Sequence, residues 1–123
     1  MALGHEPTEE VSVQVSGCHK EDAQTLFAVL GGAYACDREQ GREPEETPGP
    51  HHTVWSSAYE VGEPKRHPEP TVLQGTVTAD VQGAPRAVSR VKDTLGEAFA
   101  VRVEGLTAGD QEQELRLRLE TSS

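Results

Sequence analysis

The chain contains the same short pattern twice, 65 residues apart. Leu-Gly-Gly-Ala-Tyr-Ala-Cys at residues 30–36 returns as Leu-Gly-Glu-Ala-Phe-Ala-Val at residues 95–101. Upstream, Val-Ser-Val-Gln-Val-Ser-Gly at residues 11–17 matches Val-Thr-Ala-Asp-Val-Gln-Gly at residues 77–83, at a spacing of 66 residues. Self-similarity at a fixed period is typical of a repeated structural unit. The chain is therefore predicted to contain two copies of one unit.

The first copy predicts a strand, a helix and two further strands. Alternating valines and polar residues at 11–16 indicate a strand with one buried face. The apolar residues that follow at helical spacing are Ala23, Leu26, Phe27 and Leu30. Gly31 and Gly32 are predicted to end this helix, because glycine readily adopts a left-handed cap. A second strand begins at residues 33–36, and a third is predicted from Val54 to Val61.

The second copy repeats this order. Alternation at residues 77–81 predicts a strand, and Pro85 suits the first turn of a helix. A further strand is predicted from Phe99, followed by a turn over residues 105–111. The alternating leucines of residues 115–119 predict the last strand.

These elements predict one α+β domain. Pseudo-twofold duplicated β-α-β-β units would form a mainly antiparallel six-stranded sheet with two helices on one face. The two repeats span residues 10–61 and 71–120 within a single domain at 10–123, preceded by a flexible tail at 1–9. A charged segment with three prolines is predicted to form a disordered loop near residues 38–52.

Residues 62–70, Gly-Glu-Pro-Lys-Arg-His-Pro-Glu-Pro, link the two copies. Their prolines and charges predict flexible or extended chain without regular structure. The repeated order of elements resembles the duplicated strand-helix-strand-strand module of GyrI-like and SOUL-type small-molecule-binding domains. Its core is similar to ferredoxin-like folds. The resemblance covers roughly residues 10–120 at the level of topology, and no functional residue of those families is carried over to this chain.

Charge narrows the possible partners. Acidic residues outnumber basic residues by 21 to 11, which gives a net charge of −10. Such a chain is not expected to bind nucleic acid or an anionic membrane surface, because both rely on clustered basic residues. The absence of an apolar export signal, together with only two cysteines, predicts a cytoplasmic location.

The uncovered face of the predicted sheet is polar and allows three interpretations. It can be solvated, it can be the mating surface of a dimer, or it can form the floor of a ligand cleft between the copies. The candidate ligand-binding residues are Trp55, Tyr59, Asp80 and Glu104. Aromatic residues at strand spacing are also common in protein cores, so Trp55 and Tyr59 can equally be core residues.

Three histidines in irregular segments suggest a metal site. His51 and His52 close the long loop, His67 lies in the linker, and imidazole is a common ligand for zinc or nickel. The alternative is that these histidines are simply solvated. No resident cofactor is predicted.

Cys18 lies at the predicted N-terminus of the first helix, where a helix dipole can acidify a thiol. Its counterpart in the second copy is Ala84, which favours a packing role instead.

The last strand suggests a homodimer. On the side opposite its leucines, Glu114, Arg116, Arg118 and Glu120 read acid, base, base, acid. This row is complementary to itself when two copies of the strand run antiparallel about a twofold axis. The alternative is that the charges protect an exposed strand edge from unwanted pairing.

No catalytic motif is found, and the leading hypothesis is a non-catalytic cytoplasmic accessory domain that binds a small molecule or a protein partner. One alternative is a small cofactor-free enzyme that uses Asp80, Glu104 or His52 as acid or base. A second alternative is a metal-binding protein that uses the loop histidines.

Overall fold

A computed structural model of the chain describes residues 9–36, 45–48, 53–109 and 111–122. The predicted tail therefore lies almost wholly outside the described residues, as do His51, His52 and most of the predicted disordered loop.

The described residues form two helices and seven strands. In chain order they are β1 (Glu9–Ser16), α1 (Lys20–Ala33), β2 (Ala35–Cys36), β3 (Glu45–Pro48), β4 (Thr53–Val61), β5 (Val77–Gly83), α2 (Pro85–Ala98), β6 (Phe99–Ala108) and β7 (Gln113–Thr121). The strands form one antiparallel sheet in the order β2-β4-β1-β5-β7-β6, with β3 also paired to β4. The α+β class, the antiparallel sheet and the two helices are confirmed.

The prediction of six strands is wrong. Five strands are seven residues or longer, and β2 and β3 add two short segments of two and four residues. The unexpected strand is β3, whose residues 45–48 were assigned to the disordered loop. Pro48 is compatible with this strand because β3 is an edge strand and Pro48 forms its last pair, with Thr53 of β4.

One face of the sheet, here called the helix face, carries the core. Val11, Val13 and Val15 of β1 are fully buried, while the residues between them are exposed or half-buried. The buried stripes of α1 and α2, centred on Leu30 and Leu95, belong to the same apolar cluster. Both helices therefore cover the helix face, and the opposite, open face carries the polar side chains of the strands.

Both helices end in the same way. The backbone N–H of Tyr34 donates to the Leu30 carbonyl, and that of Phe99 donates to the Leu95 carbonyl. Both aromatic side chains are buried at 2% exposure. The prediction that Gly31 and Gly32 end α1 is wrong, because the helix continues through both glycines to Ala33. The extended backbone of Tyr34, which turns its ring into the core, ends the helix instead.

The strand register is the same on the two sides of the sheet. Val11 of β1 lies opposite Tyr59 of β4, and Val77 of β5 lies opposite Leu119 of β7. The two inner strands, β1 and β5, pair with each other about the pair Gln14–Asp80. The flanking pairs are Ser12–Gln82 and Ser16–Thr78. The pattern of residue pairing is therefore the same from the centre of the sheet towards either edge.

The outer edges also correspond. β2 and β3 lie along the same edge of β4, at the positions that the single strand β6 occupies along β7. The corresponding pairs are Cys36–Tyr59 with Val101–Leu119, and Glu45–Ser56 with Gly105–Arg116. Eight residues separate Cys36 from Glu45 in the sequence, whereas three separate Val101 from Gly105. At that point β6 has a bulge between Val103 and Gly105.

The turn predicted over residues 105–111 begins later than expected. Residues 105–108 continue β6, because the bulge lets the strand keep its pairing with β7 beyond the glycine. Val103 and Leu106 are 47% and 60% exposed on this edge, so Val103 is not the core residue that its alternation predicts. Among the described residues, neither helix combines the length and apolar character needed to cross a membrane.

Candidate functional site

A groove of about 390 Å³ lies between the outer side of α1 and the segment that links the two halves. This volume is at the lower end of the roughly 300–1,000 Å³ of ligand pockets. We call residues 62–76 the strap. The groove is lined by Thr25, Ala28, Val29 and Gly32 of α1 and by Arg66, His67, Pro68, Glu69 and Thr71 of the strap.

Helix α1 forms the floor of the groove through a second row of residues beside its buried stripe. Thr25, Ala28, Val29 and Gly32 recur at i, i+3, i+4 and i+7, which places them on one side of the helix. All four are exposed or half-buried, and their side chains are small. A Cβ atom added at Gly32 would meet no described atom within 4 Å, so this side of the helix has open space.

Backbone hydrogen bonds hold the strap over the helices at two places. The Lys65 N–H donates to the carbonyl of Ala33 at 2.8 Å, and the Thr71 N–H donates to the carbonyl of Ala98 at 2.9 Å. The wall of the groove, residues 66–71, lies between these attachments. The strap is therefore extended chain fixed to both helices.

Asp22 fastens the far end of the strap. Its side chain is buried at 2% exposure in the first turn of α1, and its carboxylate oxygens accept the backbone N–H groups of Gln74 and Gly75 at 2.8 and 3.0 Å. Next to these residues, the hydroxyl of Thr121 both accepts from the Leu73 N–H and donates to the Leu73 carbonyl. The wall of the groove is thus anchored on both sides.

Charged side chains stand at the mouth of the groove. His67 Nδ1 lies 3.0 Å from Glu97 Oε1 of α2, in a contact that is largely exposed. Arg66 and Glu69 are exposed, and neither side chain forms a hydrogen bond or ion pair with another residue that the structure describes. The mouth therefore presents one cation and one anion that are available to a ligand.

The four predicted ligand-binding residues are not brought together. Trp55 and Tyr59 lie on the helix face and are buried at 7% and 3% exposure, with the Tyr59 hydroxyl donating to the Phe27 carbonyl at 3.3 Å. Asp80 and Glu104 lie on the open face. The two pairs are thus separated by the sheet. The indole Nε1 of Trp55 is buried without a hydrogen-bond partner among the described residues.

Asp80 and Glu104 belong to a charged depression of about 320 Å³ on the open face. Arg116 Nε and Nη2 donate to the two Asp80 carboxylate oxygens at 2.9 and 3.4 Å, and Arg118 Nη1 donates to Glu104 at 3.4 Å. The hydrogen bond that Arg116 donates to Asp80 raises the pKa of Arg116. The charges of Asp80 and Glu104 are therefore compensated within the chain, while Glu114 adds a further acidic side chain to the lining of the depression.

Edge-to-edge pairing of β7 with a second copy is not possible in this sheet, whereas a dimer formed through the charged row of β7 stays a prediction. β7 lies between β5 and β6, so its backbone groups are already used on both sides. Arg116 and Arg118 reach acidic side chains of their own chain. The exposed edge in this half of the sheet belongs to β6. The sequence did not show this, because the long pairing of β6 depends on a bulge.

The predicted metal ligands are not assembled in the part of the chain that the structure describes. His67 contacts Glu97, while His51 and His52 lie outside the described residues. Across the described ranges, no group of three or more histidine, cysteine or acidic side chains is placed to hold a metal ion.

Cys18 does not have the acidified thiol that its helix position predicts. Burial, with a smaller contribution from the charge of Asp22, raises the pKa of the Cys18 thiol to about 11. The half-buried side chain packs against the core. The thiol is therefore protonated near neutral pH, and the packing role is the better description.

Comparison with known proteins gives no match to a family model. It also gives no match among curated proteins or among solved structures. The resemblance to GyrI-like and SOUL-type domains therefore stays an interpretation of element order.

Sequence reasoning missed the groove. One indication was present, since Ala28 and Gly32 put small residues on the side of α1 next to its core stripe. The other was the cluster Lys-Arg-His at residues 65–67, which is unusual in such an acidic chain.

Proposed function

We propose that the chain is a non-catalytic small-ligand-binding domain whose site is the groove between α1 and the strap. The observation that carries this proposal is the combination of a floor of small residues with the charges of Arg66 and Glu69 at its mouth, neither of which pairs with another described residue. Ligand pockets combine an apolar lining with a few polar groups that orient the ligand. The groove offers both in one preformed place.

The enzyme alternative is less well supported. Acid–base catalysis uses ionisable groups whose environment shifts their pKa, and such groups are usually removed from solvent. The ionisable side chains that line the groove, Arg66, His67 and Glu69, are all exposed. Binding without chemistry therefore suits this site better.

Filling the groove tests the proposal. Saturation-transfer NMR with a library of small apolar acids, amines and amino acids should detect binders to the wild-type protein. Gly32→Leu puts a side chain into the groove and should abolish these signals. Gly31→Leu is the matched control, because Gly31 is an exposed glycine of the same helix turn outside the groove. Equal binding by the two variants would contradict the groove as the site.

A second candidate function is association with a protein, in the first place a second copy of this chain. The supporting observation is the edge strand β6, which exposes Val103 and Leu106 at 47% and 60%. An exposed apolar edge strand is a template for pairing with another strand. Light scattering should then show a dimer that Leu106→Lys dissociates, whereas Val72→Lys, at another exposed apolar side chain, should leave it intact. A monomer mass at all protein concentrations would exclude this edge as a dimer contact.

We also propose that the two halves are copies of one β-α-β-β unit, as the repeated sequence predicts. The matching registers about the Gln14–Asp80 pair, and the matching ends of α1 and α2, support this duplication. The proposed setting is the cytoplasm, where a free thiol such as that of Cys18 persists in the reduced form.

A further inference from the structure

The groove also indicates which class of ligand it takes. We propose that it binds a free apolar α-amino acid, with the carboxylate at Arg66 and the ammonium group at Glu69. This inference rests on the proposed function. It adds the identity of the two charged contacts and the apolar nature of the ligand side chain.

The wall of the groove carries two side chains of opposite charge. Arg66 and Glu69 are three residues apart on the same wall of the groove, yet they do not pair with each other. Guanidinium binds a carboxylate through parallel hydrogen bonds, and a carboxylate binds ammonium equally well. A ligand that carries one charge contacts only one of these two groups, whereas a zwitterion contacts both.

Apart from these charges, the lining of the groove is largely apolar. Ala28, Val29 and Pro68 present apolar surface. The two hydroxyl groups in the lining already donate within the protein, from Thr25 to the Glu21 carbonyl at 2.9 Å and from Thr71 to the Glu69 carbonyl at 2.8 Å. A polar ligand side chain would find few donors there, and burying it without a partner is unfavourable. The floor therefore favours an apolar side chain.

His67 is the remaining ionisable group of the wall. Its Nδ1 atom lies 3.0 and 3.1 Å from the two carboxylate oxygens of Glu97 in α2. This contact directs the imidazole towards α2. Arg66 is then the basic side chain of the wall that is left for the ligand carboxylate.

Calorimetric titration of the whole protein tests the inference. The probes are L-leucine, L-valine and L-phenylalanine, together with three relatives of leucine that lack one charge: N-acetyl-L-leucine, L-leucinamide and 4-methylpentanoate. At least one of the three amino acids should bind. It should bind about tenfold or more tightly than its single-charge relatives, because a hydrogen bond to a charged group typically contributes that much.

Two variants separate the two contacts. Arg66→Gln should weaken the amino acid about tenfold and should also weaken the carboxylate-only relatives, since both use the guanidinium group. Glu69→Gln should weaken the amino acid to the affinity of 4-methylpentanoate without weakening that compound. Arg86→Gln removes an exposed arginine of α2 outside the groove and should change nothing.

The possible failures can be told apart. If 4-methylpentanoate or L-leucinamide binds as tightly as L-leucine, and Gly32→Leu abolishes that binding, the zwitterion inference is wrong and the groove remains a ligand site. If none of the three amino acids binds but other compounds of the NMR library do, the amino-acid inference is again wrong and the groove remains a ligand site. If no library compound distinguishes Gly32→Leu from Gly31→Leu, the proposed function fails with it.

Discussion

The outer side of α1 and the same side of α2 differ in chemistry, although the strands beneath them pair alike. At corresponding positions, Thr25, Ala28, Val29 and Gly32 of α1 are replaced in α2 by Arg90, Asp93, Thr94 and Glu97. The small residues leave a groove under the strap, whereas Glu97 holds the strap histidine and Thr94 bonds to Tyr34. Thr94 is one of the buried residues of α2, whereas Val29, at the corresponding position of α1, is half-buried, so the two helices also differ in how far this side is covered.

A second difference lies where each helix ends. The Tyr34 hydroxyl lies 2.6 Å from Thr94 Oγ1 and donates to the Arg90 carbonyl at 3.2 Å, which ties the first half to α2. Phe99, at the corresponding position of the second half, has no hydroxyl group. The two helix ends therefore share their backbone hydrogen bond but differ in the side-chain hydrogen bonds of the aromatic residue that follows.

The largest expected effect tests whether the cores are equivalent. Leu30 and Leu95 are both fully buried at corresponding positions. Leu30→Ala and Leu95→Ala should each lower the free energy of unfolding by about 2–5 kcal/mol, because each leaves a cavity. Urea denaturation measures both values. A large loss for one variant and none for the other would show that the halves are not equivalent.

The next effect is confined to the first half. Asp22→Ala removes the two hydrogen bonds that the Asp22 carboxylate accepts from the N–H groups of Gln74 and Gly75, and should cost about 2–3 kcal/mol of unfolding free energy. The corresponding residue of α2 is Ala87, so the second half has no such anchor. Asp93→Ala, at an exposed acid of α2, is the control and should change stability little. Similar losses for the two variants would contradict the role of Asp22 as an anchor of the strap.

A smaller effect is expected when Tyr34 is made like its counterpart. Tyr34→Phe removes the bonds to Thr94 and Arg90 and should cost about 1 kcal/mol near neutral pH. Burial raises the pKa of Tyr34 above its usual value of 10.0. The folded protein then holds this phenol neutral where the unfolded chain ionises it. The contribution of Tyr34 to the free energy of unfolding should therefore be retained below pH 10 and be lost as the pH rises above it.

The Tyr34→Phe variant is also the control for the loss of stability above pH 10. Tyr34→Phe should flatten the decline of the free energy of unfolding above pH 10, leaving the part that comes from other groups such as the Cys18 thiol. Denaturant titrations at a series of pH values provide the test. An unchanged alkaline slope in Tyr34→Phe would show that this hydroxyl is not a source of the pH dependence.

How far the sequence alone reaches differs between the centre of the sheet and its periphery. The central strands were predictable because the valines of β1 and β5 occupy alternate positions along each strand, and the structure buries these positions. Gly31 and Gly32 were misinterpreted, since glycine permits a helix end without requiring it. Strand β3 pairs with the neighbouring β4, but its sequence Glu-Glu-Thr-Pro has no apolar alternation that would indicate a strand. The groove depends on contacts distant in sequence, such as those of Asp22 with residues 74–75. Periodicity carries no information about such contacts.

The smallest effect is expected at the sheet edge. Replacing residues 37–44 by Arg-Val-Glu, the three residues that follow Val101, would join β2 to β3 as β6 is joined in the second half. If the halves are copies, unfolding should stay cooperative and its free energy should change by about 1 kcal/mol or less, since loop length has a weak effect on stability. Calorimetry measures this change, and a loss of cooperative unfolding would count against the duplication.

The central claim is that ligand binding belongs to the outer side of α1 and not to its counterpart on α2. Amide chemical-shift mapping tests it most directly, by titrating the ¹⁵N-labelled protein with the tightest-binding amino acid probe. We expect saturable shifts at the amides of Ala28, Gly32 and the non-proline residues of 66–71, and no shift at Asp93 of α2. The shifts along the groove should be absent in the Gly32→Leu variant. Shifts on α2 or on the open face that persist in Gly32→Leu, without shifts along the groove, would contradict it.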